Sequence, residues 1–290
     1  MTTSSQPYSG TYFVQDQGNE EEFLRQMEQD RLVTTSMGGV LAEQSAPHLL
    51  RRVLDVACGV GGWAIEAAKT YPDMSLVGID INPRMIRYAR EQAAREQVAD
   101  RVEFSATDAL RPLDFPDASF DLVNMRFATS FVRTWEWPRL ISNFMRVVRP
   151  GGIVRLTEEQ VIHESNSPAS VTFCEVLLGA LYRSGHLFTQ ESTGLTNHLA
   201  MLLRQQSDQE VQTVQHVLHL QAGTPEGQIY IRDGNYIIRT LRPFLEKWGM
   251  AGENYAELAQ RVRAELQQPD FSATWRLTTV WVPKAREIFS

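Results

Sequence analysis

The sequence predicts an α/β protein with a mostly parallel β-sheet and helices on both of its faces. In the first half of the chain, short apolar segments with strand composition alternate with longer segments of helical periodicity. A glycine-rich loop, DVACGVGG over residues 55–62, joins the first predicted strand to a helix. The 290 residues are 43% hydrophobic, which suffices for a large buried core. These three observations together favour a sheet whose strands are connected by crossover helices.

The predicted elements follow one another in a simple order. A helix over residues 19–32 begins at Asn19, a favourable N-cap. Five strands are predicted at residues 52–57, 75–80, 102–106, 120–125 and 153–157, with helices at residues 61–70, from Asn82 onwards and from Pro138 to the Arg149-Pro-Gly-Gly152 stop. Further helix is predicted over residues 168–206, and strands over residues 211–220 and 273–282, with helical spacing between these two strands.

Composition and charge exclude several function classes. The net charge of −7 and the pI of about 5.5, without a cluster of Lys or Arg, argue against nucleic acid as the main partner. Cys58 and Cys174 form neither a disulfide framework nor a metal pattern, which fits a reducing compartment. No apolar run approaches the roughly 20 residues of a membrane span, and the first residues lack a signal sequence. We therefore expect a cytoplasmic protein.

The glycine loop is itself a candidate ligand cradle. Gly59, Gly61 and Gly62 permit positive φ and close backbone approach, and the following helix N-terminus suits an anion. The spacing of Gly59, Gly61 and Ala64 also fits a dinucleotide-binding fingerprint, with Asp80 as the acid after the next strand. The loop alone therefore leaves its ligand open.

The ends of the neighbouring strands narrow the choice of ligand. Ligands of open parallel sheets bind beyond the carboxyl ends of the strands. Asp80 follows the second predicted strand and is placed to accept hydrogen bonds from two ribose hydroxyls. Asp108 follows the third and is placed to accept one from an exocyclic amine such as adenine N6. Two carboxylates and a glycine loop at one edge indicate a nucleoside.

At this point the chain resembles the class I S-adenosylmethionine-dependent methyltransferases, in particular the small-molecule branch with the ubiquinone and menaquinone enzymes. The resemblance covers about residues 53–157, and its ordered motifs are VLDVACGVGG, VGIDINPRMI, SATDALRPLDFPDASFD and RVVRPGGIV. It implies a Rossmann-like sheet of seven strands whose last strand is antiparallel. Ala57 stands where the family usually has glycine. The early Asp55, four residues before the first glycine, argues against a nicotinamide-binding loop.

The resemblance also implies a donor site and a reaction. The implied cofactor is S-adenosyl-L-methionine, and the implied reaction is in-line transfer of its methyl group to oxygen, nitrogen or carbon of a small metabolite of secondary metabolism. Residues expected to bind the donor are Asp55, Ala57, Gly59, Gly61, Asp80, Ile81, Met85, Thr107, Asp108, Ala109, Met125 and Arg126. The alternative is a donor-binding protein that catalyses another reaction, such as a cyclisation, or a regulatory subunit.

The acceptor side is expected to include residues from three parts of the chain. His163 follows the fifth strand, so it is the candidate general base, although a histidine in a polar loop is commonly just solvated. Tyr12 and Phe127 are further candidates for acceptor binding, together with His163. We expect no metal site, because His216 and His219 are three residues apart on a strand and face opposite ways.

We expect four regions along the chain. They are an N-terminal helical arm (1–46), a donor-binding core (47–160), a helical acceptor-side segment (161–209) and a final region (210–290) that carries a helical insertion at 223–271. About fifty residues far exceed a hairpin loop, so the insertion is predicted to be a lid over a small-molecule acceptor. The alternatives are packing behind the sheet or a subunit interface, and the sequence leaves a homodimer open.

Overall fold

A computed structural model describes residues 20–285, and its centre is one β-sheet. The eight strands are β1 (Arg52–Val56), β2 (Ser75–Asp80), β3 (Val102–Ala106), β4 (Phe120–Arg126), β5 (Val148–Glu159), β6 (Glu164–Ser165), β7 (Gln212–Gln221) and β8 (Ser272–Pro283). Strands β3, β2, β1, β4 and β5 are parallel neighbours in that order. Strand β8 is antiparallel to β5, and β7 is antiparallel to β8.

Helices cover both faces of this sheet. They are α1 (Glu20–Ser36), α2 (Gly62–Thr70), α3 (Pro83–Arg95), α4 (Trp137–Val147), α5 (Pro168–Arg183), α6 (Thr196–Arg204), α7 (Pro225–Thr240), α8 (Arg242–Lys247) and α9 (Tyr255–Leu266). One core contains Trp137, Phe144 and Phe120, whereas a second contains Trp63 and Phe104. Every residue of β4 is buried, as expected for the central strand of a sheet covered on two faces.

The predicted fold class is confirmed, with local differences, one of which is that α1 continues to Ser36 instead of ending at residue 32. The seven expected strands are present, and the two-residue β6 is an additional strand that pairs with Thr274 and Ala273. Strand β5 begins at Val148 rather than at Ile153, because Val148 pairs with Phe120 before the ladder shifts. The helical prediction over residues 168–206 is wrong between α5 and α6, where Gly185 adopts a φ of 82°.

The insertion between β7 and β8 lies against both the N-terminal helix and the acceptor-side helices. Helix α7 carries Asp233, which pairs with Arg25 of α1 at 2.5 Å. Helix α9 carries Glu265, which accepts hydrogen bonds from the Ser167 hydroxyl and the Ala169 amide at the start of α5. Within residues 20–285, no helix combines the length and the hydropathy needed to cross a membrane.

Candidate functional site

The glycine loop links β1 to α2 through a run of left-handed residues. Ala57, Gly59 and Gly61 have φ values of 55°, 54° and 79°. Gly61 is the N-cap of α2 and offers no side chain to the first amides of the helix. Several backbone N–H groups therefore lie at the carboxyl edge of the sheet, an arrangement that suits an acidic or strongly polar ligand.

Asp80 connects this loop to the end of β2. One carboxylate oxygen accepts from the Gly59 amide at 3.0 Å, and the other accepts from the Asn82 amide at 2.8 Å. Burial raises the pKa of Asp80, and the two amide hydrogen bonds oppose that effect. Because each carboxylate oxygen can accept more than one hydrogen bond, Asp80 retains acceptor capacity for ligand hydroxyls.

The glycines of the loop have packing roles in addition to their conformational role. A Cβ at Gly61 would lie 2.6 Å from the ring of Phe104. A Cβ at Gly59 would lie 2.6 Å from the amide oxygen of Gln26 on α1. Gly61 therefore has both roles. Its positive φ favours glycine in a ligand-binding loop, and the neighbouring Phe104 ring leaves no space for a side chain.

The predicted adenine side lies at the ends of β2 and β3. Ile81 is 39% exposed, so its side chain is accessible at the end of β2. Asp108 accepts from the Leu110 amide at 2.9 Å and faces Arg111 at 3.3 Å. The Thr107 amide donates to the Asp80 carbonyl at 2.8 Å, which holds the two strand ends together. Six of the residues expected to bind the donor are buried: Asp55, Gly61, Met85, Ala109, Met125 and Arg126.

A chain of buried polar side chains runs beneath the loop. Asp55 accepts from the Asn124 side-chain amide at 2.8 Å, and Asn124 accepts from Arg155 at 2.7 Å. Arg155 in turn pairs with Glu43 at 2.6 Å. Burial raises the pKa of Asp55 to about 7, although Arg126 and the Asn124 hydrogen bond lower it. The loop therefore rests on a network that fixes the strand ends of β1, β4 and β5.

Helix α1 lies across the glycine loop and adds residues that the sequence analysis missed. Asp30 pairs with Arg126 at the end of β4, and it also accepts from the Trp63 amide at the start of α2. Thr34 accepts from Arg126 at 3.2 Å. Gln26, Asp30 and Thr34 recur every four residues, so they form one polar stripe on the helix. This four-residue spacing is the feature of the sequence that could have predicted that the three side chains share one face of the helix.

The acceptor-side candidates lie together at the ends of β4, β5 and β8. His163 has its ring centroid 5.4 Å from that of Trp275 and 5.7 Å from that of Tyr230. Phe127, with a φ of 59°, stacks on Trp275 with centroids 6.0 Å apart. Tyr12 lies outside the described residues. The structure thus brings together two of the three acceptor-side candidates, His163 and Phe127, through Trp275.

Buried Glu158 supports the loop that carries Phe127. Its carboxylate accepts hydrogen bonds from the Ala128 and Thr129 amides and from the Thr129 hydroxyl, the last at 2.7 Å. Burial raises the pKa of Glu158 to about 8. Sequence analysis did not assign Glu158 a role, and its hydrogen bonds indicate that it holds the β4–α4 connection in place.

Comparison with known proteins agrees with this geometry. Residues 53–152 match a protein family described as a methyltransferase domain. Residues 53–152 are thus similar to a methyltransferase domain. The matched segment runs from β1 to the start of β5, so it includes the glycine loop, Asp80 and Asp108.

Curated relatives of this domain are methyltransferases. The chain is 39% identical over 142 residues to demethylmenaquinone methyltransferase of Deinococcus radiodurans, a match covering 49% of this chain and 52% of the relative. It is 32% identical over 169 residues to a ubiquinone/menaquinone biosynthesis C-methyltransferase of Pseudomonas fluorescens, covering 58% and 64%. The matches therefore span only about half to two thirds of these relatives.

Solved structures share the fold of the methyltransferase domain and of much of the remaining chain. An O-methyltransferase family protein of Burkholderia thailandensis superposes with a TM-score of 0.52 at 14% identity. That match covers 92% of this chain and 59% of the other. At this identity the likeness extends to the fold alone.

Proposed function

We propose that this protein transfers a methyl group from S-adenosylmethionine to a small organic acceptor. The observation that carries the proposal is Asp80, whose carboxylate fastens the glycine loop at the sheet edge where β3 leads into Asp108. A nucleoside matches this pair of carboxylates, with its ribose hydroxyls at Asp80 and its exocyclic amine at Asp108. The named activities of the relatives, methylation of quinone precursors, support the same reaction class.

The described residues fit the proposed donor. The ribose hydroxyls would be held by Asp80, and the adenine by Ile81 and Asp108. The amides of the glycine loop, with Asp55 beneath them, would hold the charged methionine end, assisted by Asp30 and Arg126 above. When bound, the donor would supply an electrophilic methyl group on a sulfonium, whose sulfur leaves as a neutral thioether. The protein would then mainly align donor and acceptor, an effect worth about 7–11 kcal/mol in favourable cases.

Phe127, His163 and Trp275 would form the acceptor site. The partly exposed rings of Phe127 and His163 pack against the buried Trp275 and offer an aromatic surface at the ends of β4, β5 and β8. Such a surface suits a small organic molecule whose reactive atom is oxygen, nitrogen or carbon. His163 would serve proton removal where the acceptor atom carries a proton.

The regions 1–46, 47–160, 161–209 and 210–290 are proposed as arm, donor core, acceptor-side segment and closing region. Within the last, residues 223–271 would be the lid. Tyr230 of α7 contacts His163, and Asp233 of the same helix pairs with Arg25 of α1. A segment with contacts to both the acceptor side and the helix above the donor loop is well placed to close the site and exclude water. The two free cysteines, Cys58 and Cys174, support a location in a reducing compartment.

The test is incubation of the protein with methyl-labelled donor and a metabolite extract, followed by mass spectrometry. The expected result is a product that carries one labelled methyl group and forms together with S-adenosylhomocysteine. The matched control is Asp80→Asn, which should form less of this product. A rearranged product of unchanged mass would contradict methyl transfer and favour a cyclisation.

A further inference from the structure

His163 has a charged or polar partner at each ring nitrogen. Its Nδ1 lies 2.7 Å from the Tyr230 hydroxyl, within hydrogen-bond distance. Its Nε2 lies 3.6 Å from a carboxylate oxygen of Glu159, which also accepts from the Trp275 indole at 2.6 Å. The Trp275 hydrogen bond holds Glu159 in this orientation. Neither nitrogen of His163 therefore faces open space for an acceptor.

The partners determine which nitrogen carries the proton. A lone pair on Nε2 would face the negative charge of Glu159, so the proton belongs on Nε2. Nδ1 is then the acceptor, and the Tyr230 hydroxyl donates to it. Burial raises the pKa of Tyr230 well above its ordinary value, which keeps the phenol protonated and able to donate.

We infer that Glu159, His163 and Tyr230 form a proton relay in which the Tyr230 oxygen receives the proton of the acceptor. The arrangement has the logic of a catalytic triad, with a carboxylate orienting an imidazole and the imidazole activating a hydroxyl. The inference rests on the proposed function, and it replaces direct proton removal by His163. Tyr230 belongs to α7, so the insertion would supply a catalytic atom in addition to covering the site.

The proton transfers balance in one step. The O–H or N–H bond of the acceptor breaks, and its proton forms a new bond to the Tyr230 oxygen. The phenol proton moves to Nδ1 of His163, and the resulting imidazolium is stabilised by Glu159. The electron pair left on the acceptor atom would form the bond to the donor's methyl carbon, while the methyl–sulfur bond would break and leave its electron pair on the sulfur of S-adenosylhomocysteine. Release of the proton from His163 to solvent restores the resting state.

The relay is tested first without donor or acceptor, by nitrogen NMR of histidine-labelled protein in mildly alkaline buffer. His163→Gln identifies the signals of this residue. The expected spectrum shows a protonated Nε2 and an unprotonated Nδ1 whose resonance moves downfield in Tyr230→Phe. Tyr255→Phe is the matched control, because Tyr255 lies in the same insertion and donates to the Ile238 carbonyl. A proton on Nδ1 in the wild type, or an unchanged Nδ1 signal in Tyr230→Phe, would overturn the relay.

Turnover gives the second readout. With the acceptor that yields a labelled product, Tyr230→Phe should lower kcat by about a hundredfold or more at unchanged donor affinity, whereas Tyr255→Phe should retain its kcat. Equal kcat values for Tyr230→Phe and wild type would reject the relay. The two proposals fail separately, since absence of donor binding would refute methyl transfer without altering the tautomer of His163.

Discussion

The carboxylate of Asp30 forms an ion pair with the guanidinium of Arg126, although 96 residues separate them in the chain. Asp30 belongs to α1 and Arg126 ends β4, so the pair fastens the N-terminal helix to the carboxyl edge of the sheet. The Arg126 side chain is only 7% exposed, and burial lowers its pKa. This pair therefore differs from the exposed ion pairs elsewhere on α1.

Removing Asp30 should be strongly destabilising. Asp30→Ala leaves the buried guanidinium of Arg126 without its carboxylate, at a cost of about 3–5 kcal/mol in the free energy of unfolding. Glu28→Ala, the control on the same helix, breaks a half-exposed pair with Arg232 and should cost about 1 kcal/mol or less. Urea denaturation measures both values. Equal losses in the two variants would show that the buried ion pair contributes no more to stability than the exposed one.

Alanine at Gly61 should destabilise the protein through packing as well as through backbone strain. The new Cβ would meet Phe104 at 2.6 Å, whereas a Cβ at Gly38 would be 3.4 Å from its nearest neighbour. Both glycines have similar positive φ, 79° and 87°, so Gly38→Ala isolates the strain. We expect Gly61→Ala to lose about 1–3 kcal/mol more than Gly38→Ala by urea denaturation. Equal losses of stability in the two variants would mean that the Phe104 side chain moves aside without a cost in free energy.

The two ends of the donor site should respond to different variants. Asp80→Asn should weaken the binding of S-adenosylhomocysteine and of the related nucleoside methylthioadenosine by about 10- to 100-fold each. The reason is that a hydrogen bond to a charged acceptor is worth about 1.5–3 kcal/mol. Arg126→Lys should weaken only the binding of S-adenosylhomocysteine, because this compound carries the amino-acid group and methylthioadenosine does not. Asp100→Asn, at an exposed side chain, serves as the control. Calorimetry that finds the fragment insensitive to Asp80→Asn would remove Asp80 from the ribose site.

Stability should decrease as pH rises through the titration range of Glu158. The folded protein keeps this carboxyl protonated up to about pH 8, whereas the unfolded chain releases the proton near 4.5. Between these values the folded state binds more protons, so the free energy of unfolding falls with increasing pH. At about 1.4 kcal/mol per pKa unit, the effect amounts to a few kcal/mol.

The matched variants for this pH dependence are Glu158→Gln and Glu66→Gln. Glu158→Gln should flatten the decline. Asp55, whose pKa is raised to about 7, contributes to the remainder together with Asp30, Asp80 and Asp233, whose pKa values burial also raises. Glu66 lies half exposed on α2, so its variant should follow the wild-type curve. Urea denaturation across this pH range measures the effect. A free energy of unfolding that rises towards pH 8 would contradict it.

Closure of residues 223–271 should appear in hydrogen exchange. Addition of S-adenosylhomocysteine and methylated product should slow exchange in α7 and α1, because Arg25, Arg232 and Arg239 link these helices through ion pairs with Asp233, Glu28 and Glu21. Slow exchange limited to the glycine loop, Asp80 and Asp108 would reject the lid and favour a purely structural insertion.

Local pattern sufficed to predict the sheet, because each strand and helix has its own periodicity and the connections of parallel strands follow from it. The glycine loop and Asp80 could be predicted for the same reason, because short sequence motifs place them at the carboxyl ends of neighbouring strands. Two of the partners of His163, Tyr230 and Trp275, could not be predicted from the sequence. Tyr230 approaches from 67 residues further along the chain and Trp275 from 112, and tertiary packing alone brings them together.

The most direct test of the central claim is calorimetric titration of the wild-type protein with S-adenosylhomocysteine. A donor site built from the glycine loop, Asp80 and Asp108 predicts saturable binding of one molecule per chain, and competition by S-adenosylmethionine for the same site. Absence of binding heat at several temperatures, together with unchanged thermal stability at saturating ligand, would contradict the donor site and the methyl transfer proposed from it.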